Sequence, residues 1–188
     1  MNTEKFIRLS LIVFFLFAAI GCGINRNYIR EEIKRSEAGY LREVPFFPQN
    51  TYMCGPAAMA SVVGYWGEGK EMDEVAKEVY HEKLRGTLPI DLLIYAKEKG
   101  FDAKFYKGDL DDLKKKISSG TPVILFLNLG YEFYPVGHYI VPTGYNDDLR
   151  AFTAHSGVIK DEVFTYDELE RAWGKTGYST LLLKPKGR

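Results

Sequence analysis

Cysteine is scarce in this 188-residue chain: Cys22 and Cys54 are the only two, too few for a small domain framed by disulfides. Histidine is scarcer than its usual share, with His81, His138 and His155 alone. Without a compact ligand motif these do not suggest zinc, although a fold could bring His138, His155 and Cys54 together. An excess of charge of either sign is also missing. Lysine plus arginine number 25 and aspartate plus glutamate number 25, so there is no basic footprint for nucleic acid. Internal repeats and low-complexity segments are absent, and the one long apolar run, Leu9 to Ile20, is too short for a comfortable membrane span. What remains, 46% hydrophobic and 14% aromatic residues, is ample for one domain with its own core and leaves little room for a second.

The first 21 residues read as an export signal, with Lys5 and Arg8 ahead of the apolar run. The run ends in Ala19-Ile20-Gly21-Cys22, which resembles the lipobox of bacterial lipoproteins, with Ala19 where leucine is usual. The resemblance implies that Cys22 receives the lipid and that the protein is held to a bacterial membrane, outside the cytoplasm, in the cell envelope. The alternative is an uncleaved anchor helix, which leads to the same side of the membrane. With Cys22 lipidated, Cys54 has no disulfide partner in an oxidising compartment. Catalysis is one reason to carry such a thiol; burial as an inert apolar side chain is the other.

Residues 22–43 are rich in Arg, Glu and Lys and read as a tether with at most one exposed helix. The folded domain is expected over 44–188. Cys54 to Trp66 is almost wholly apolar or small, with Pro56 suited to the first turn and Gly67 to the exit, which predicts a buried helix. Further helices are expected around Met72–Val79, Pro89–Lys99 and Asp109–Ser119. The period then changes. Phe101–Tyr106, Pro122–Leu127, His138–Tyr145, Arg150–Ala154, Glu162–Phe164 and Tyr178–Leu183 read as strands, and Thr165 with Glu168 forms a capping box for a short helix to about Trp173. Helices followed by an antiparallel sheet define an α+β domain.

Cys54 sits where an irregular segment enters the buried helix, so the helix dipole favours its thiolate. A nucleophile there needs a base and donors for the oxyanion formed on the attacked carbonyl. Gln49, five residues earlier, can supply a side-chain amide, although alone it is an ordinary loop glutamine. His138 opens an apolar strand, a rigid place from which to aim a base. A two-residue turn at Asn146-Asp147 would place His138 opposite His155, and a longer loop would shift that partner to Ser156 or Gly157. Asp147 and Asp148 lie roughly 20 Å along the strand from His138 and read as turn residues; His81 reads as part of a solvated helix face. Tyr131, Phe133 and Tyr134, on the loop before His138, either line a cleft or cover the sheet edge.

Pro45-Phe46-Phe47-Pro48-Gln49, Cys54-Gly55-Pro56-Ala57-Ala58 and Gly137-His138-Tyr139 through Thr143-Gly144-Tyr145 resemble the bacteriocin-processing peptidase family, of the papain-like cysteine peptidase clan, whose best-known members trim double-glycine leader peptides. The resemblance spans roughly Val44 to Leu183. It implies a papain-like fold, no cofactor, a peptide or protein substrate, Cys54 as nucleophile, His138 as base and Gln49 as oxyanion donor. Where the family usually has an aspartate followed by proline, this chain has Ala154-His155-Ser156-Gly157. His155 is accordingly expected to orient the base as a neutral acceptor. A cell-wall peptide amidase with the same dyad and a non-catalytic peptide-binding module of the same fold remain as alternatives.

Overall fold

The computed structural model describes residues 25–49, 52–69 and 71–187; the export segment and Cys22 lie outside them. The elements run α1 (Arg26–Arg35), α2 (Cys54–Tyr65), α3 (Met72–Val79), α4 (Pro89–Glu98), β1 (Phe101–Lys107), α5 (Leu110–Ser118), β2 (Val123–Asn128), β3 (Gly137–Asn146), β4 (Ala151–Ser156), β5 (Ile159–Thr165), α6 (Tyr166–Gly174) and β6 (Ser179–Pro185). The strands form one sheet in the order β1-β6-β2-β3-β4-β5, antiparallel throughout. This is the helices-then-sheet architecture expected from the sequence.

Helix α2 is the centre of the core. Residues 55–63 are buried without a break, which is what a helix that is apolar on every side requires. It packs on β3 and β2, among Met59, Val62, Leu125, Leu127, Ile140 and Leu181. Local chemistry fixes the helix ends elsewhere: Asp109 caps α5, and Thr165 and Glu168 form the reciprocal capping box of α6.

Two expectations need correction. The segment expected to be a tether is largely structured from Asn25 onward. Helix α1 buries Ile29 and Ile33, Arg30 Nε donates to Asp161 O at 2.7 Å, and Arg26 reaches Val163 O and Glu168. The chain after it pairs with β3, through Leu41 N to Thr143 O at 2.6 Å and Tyr145 N to Gly39 O at 2.8 Å. Approach is close enough that a Cβ at Gly144 would lie 2.5 Å from Ile33 Cγ2, so glycine there is a packing requirement. Two isoleucines four residues apart suffice to dock a short helix when the chain beyond them gains sheet hydrogen bonds.

The second correction concerns the β3–β4 hairpin. Its turn is Asp147 to Arg150, four residues rather than two, and the register shifts again at a bulge between Pro142 and Gly144. His155 therefore stands opposite Val141 instead of His138. An offset of three positions is odd, and side chains alternate along a strand, so His138 and His155 project to opposite faces of the sheet.

Candidate active site

Cys54 is the first residue of α2, and its N-cap, Met53, offers no side-chain acceptor to the first-turn amides. Those amides face the sulfur: backbone hydrogen bonds from Gly55 and Cys54, together with one from Tyr139 on β3, favour the thiolate. Burial outweighs them and pushes the Cys54 thiol above its ordinary range. Cys54 is a free cysteine, partly exposed. Gly55 is pressed against Thr87, whose Cβ would be 2.6 Å from any added Cβ, and Tyr139 OH donates to Thr87 O at 3.2 Å, so the start of α2 is wedged between β3 and the segment leading into α4.

Tyr139, whose backbone amide favours the Cys54 thiolate, follows directly on His138 at the start of β3. The His138 ring meets the end of β4, with Nε2 3.0 Å from Ser156 Oγ. Ser156 ends β4, at the irregularity between Ala154 and Ser156 in its pairing with β5. Burial pulls the imidazole below its ordinary range. With the thiol pushed up and the imidazole pulled down, the resting pair is thiol and neutral imidazole.

The geometry corrects the expectation for His155. This ring is buried and lies apart from the His138 nitrogen contact: its Nε2 is 3.0 Å from Val44 O, and its Nδ1 accepts from the Asp161 amide at 3.4 Å. Ser156, one residue on, occupies the place beside His138. The signal for this was present in the longer-loop register, which named Ser156 as a partner.

Gln49 is buried and lines a pocket with Cys54, Ser61, Tyr139, His155 and Ser156. Its backbone N–H donates to Gly157 O at 3.1 Å. Gly157 has φ +56° in the turn that pairs Ser156 with Ile159, a conformation that favours glycine. His81 lies beyond the end of α3, its Nε2 2.8 Å from Asp91 Oδ2. Asp147 stays in the β3–β4 turn, paired with Lys114 at 2.5 Å. Among the described residues no group of three or more His, Cys, Asp and Glu is arranged to hold a metal ion.

Tyr131, Phe133 and Tyr134 occupy a hairpin between β2 and β3 and are 70%, 87% and 71% exposed. Its base is fixed, with Asn128 Oδ1 accepting from Gly130 N and Val136 N, both at 2.9 Å, and Lys175 Nζ donating to Gly130 O at 2.6 Å. The Tyr131 and Phe133 rings stack at 5.4 Å.

A cysteine at the start of a buried helix, with a histidine on the neighbouring antiparallel sheet, is the arrangement of papain-like cysteine peptidase domains, and solved structures of that class share this fold. They include the peptidase domain of Streptococcus ComA, a bifunctional ABC transporter of a quorum-sensing pathway (22% identity, TM-score 0.61, covering 77% of this chain and all of that one). A double-glycine-motif protease from an AMS/PCAT transporter, in complex with the leader peptide, aligns at 23% identity and TM-score 0.62 over 80% of this chain and 96% of that one. A C39-like peptidase from Bacillus anthracis aligns at 17% identity and TM-score 0.64 over 81% of this chain and all of that one. The profile of the Peptidase_C39 like family matches residues 41–181, and the chain belongs to that family. Among curated proteins nothing matches.

Proposed function

We propose that the protein is a cysteine peptidase of the bacterial cell envelope, anchored through lipid on Cys22, that hydrolyses peptide bonds through an acyl-enzyme. The observation that carries the reading is the junction of α2 and β3, where Cys54, Gln49, Tyr139 and Ser156 line one pocket and Ser156 Oγ meets His138 Nε2. Family membership and a neighbour solved with a leader peptide support a peptide as substrate.

Ser156 engages Nε2, which leaves Nδ1 of His138 to act as base. It takes the thiol proton as Sγ bonds to the carbonyl carbon. The oxyanion is held by the backbone amides of the α2 start and the Gln49 side chain. Collapse breaks the C–N bond, and the imidazolium passes its proton to the departing amine. Water, deprotonated by His138, then cleaves the thioester and returns the thiol.

The test is labelling of the purified protein with a peptide-like thiol-reactive probe, together with turnover of a fluorogenic peptide bearing a double-glycine cleavage site. Cys54 should react far faster than a free thiol, and Cys54→Ala should lose labelling and turnover while keeping its melting temperature. Fast labelling without turnover of any peptide would favour the binding-module alternative. The anchor is tested separately: Cys22→Ser should release the protein from the membrane fraction or leave its signal uncleaved, and absence of metabolic lipid labelling in the native protein would overturn it.

A further inference from the structure

Residues 44–49 run from the buried Val44 to the buried Gln49 without helix or strand pairing, so no ladder holds this segment in place. Val44 and Phe47 pack on the core and Pro45 lies against Gly64 of α2, while the segment's polar attachments come from the end of β4 and the turn that follows. His155 Nε2 meets Val44 O at 3.0 Å, the His155 ring packs on Phe46 at 5.1 Å between centroids, and Gly157 O accepts the Gln49 amide at 3.1 Å. A carbonyl only accepts, so His155 carries a hydrogen on Nε2, while its Nδ1 lies 3.4 Å from the Asp161 amide and 3.5 Å from the Asp161 carboxylate. Asp161 is itself fixed. It is 2% exposed, its carboxylate accepts from Thr143 Oγ1 at 2.7 Å and Tyr40 OH at 2.9 Å, and its carbonyl accepts from Arg30 of α1.

We propose that His155 is a positioning residue for the oxyanion donor: through Val44 and Phe46 it fixes the segment that carries Gln49, while its neighbour Ser156 fixes the base. Two successive residues of one strand thus steady the two arms of the site, and the Asp161 cluster holds the other edge of the first ring. The inference rests on the peptidase reading.

Two reactions of Cys54 separate the arms. Hydrolysis of the fluorogenic peptide develops an oxyanion and needs Gln49. Alkylation by iodoacetamide forms an S–C bond, expels iodide and sends the thiol proton to His138, with no oxyanion at any point. Three variants are compared with the native protein. His155→Met keeps the volume and removes the donor, His155→Gln keeps an amide that can donate to Val44 O, and Gln49→Ala removes the arm's working end.

His155→Met should lower kcat about 10- to 100-fold with KM and the alkylation rate within about twofold, the size expected for loosening one oxyanion donor. His155→Gln should regain most of the lost kcat. Adding His155→Met to Gln49→Ala should cost little more than Gln49→Ala alone, because both act through one group. Alkylation falling in parallel with hydrolysis, or full additivity with Gln49→Ala, would overturn the assignment. If the Met variant fails to fold, the Gln variant decides, since a loss of kcat matching that of Gln49→Ala also overturns it. A native protein that alkylates at the rate of a free thiol and hydrolyses no peptide would fail the peptidase reading itself.

Discussion

Ser156 Oγ lies 3.0 Å from His138 Nε2, so a neutral hydroxyl, not a carboxylate, stands beside the ring. A hydroxyl can accept from Nε2–H and fix the tautomer, but it supplies no charge to balance an imidazolium. The His138 imidazole is thus oriented without being made more basic, and its buried setting lowers its affinity for a proton.

The first consequence is a pH profile. Burial disfavours the charged imidazole, so His138 takes up a proton only below its ordinary value of 6.5, and kcat/KM should stay on its plateau through that pH and fall only on further acidification. Burial likewise raises the thiol above 9.0, so the rate of iodoacetamide alkylation should keep rising into the alkaline range. An alkylation plateau extending down to pH 5, the mark of a preformed thiolate–imidazolium pair, would contradict the neutral resting state.

The second concerns the N-terminal helix. Ile33 is fully buried against Gly144 of β3, the strand that carries His138. Replacing Ile33 by alanine should destabilise the domain by about 2–5 kcal/mol, read from urea unfolding with an unchanged slope. A flexible tether would tolerate the change with no measurable effect, so a midpoint equal to the native one would return residues 25–43 to that role.

How much of this was legible in the sequence follows from the range of the interactions concerned. Helix α2 and the Thr165–Glu168 box are written in neighbouring residues, and their boundaries lie within a residue or two of expectation. Cys54, Gln49 and His138 were legible as motifs, and their places at a helix start, before it and at a strand start follow from local pattern. The partner of His138 was not, because it depends on the length of the β3–β4 turn and on the bulge after Pro142, neither of which alternation along a strand encodes. Helix α1 hides for a related reason: Ile29 and Ile33 are spaced for one face, but they sit among charges that read as solvated until β3 is there to receive them.

A third prediction addresses the aromatic hairpin. Tyr131, Phe133 and Tyr134 stand out from a base pinned by Asn128 and Lys175, a few residues before His138. Exposed aromatic rings on a hairpin that leads into the strand of His138 are suited to gripping an apolar side chain of an extended peptide. Phe133→Ala should raise KM for the fluorogenic peptide about 3- to 10-fold with kcat within twofold, and should leave the melting temperature unchanged because the ring is almost fully exposed. Equal kinetics in the variant would assign the hairpin to covering the sheet edge.

The last prediction returns to Ser156. Ser156→Ala removes the contact to Nε2, so the imidazole loses its orientation and both hydrolysis and iodoacetamide alkylation should fall, by about 10-fold or more, since both pass a proton to His138. Ser156→Asp places a carboxylate at the same point and converts a neutral hydrogen bond into a charge-assisted one, a difference of about 1 kcal/mol, or roughly five- to tenfold in rate. The sign of the pH effect follows from the same charge. A carboxylate stabilises the imidazolium, so the His138 pKa rises in Ser156→Asp, and ring-proton NMR should show its titration moving to higher pH than in the native protein. A carboxylate at 155 would do none of this, because that side chain faces the Val44 carbonyl, itself an acceptor, and His155→Asp should therefore lose activity. Should His155→Asp instead speed hydrolysis while Ser156→Asp leaves it unchanged, the register of β4 against β3 described above is wrong by an odd number of residues.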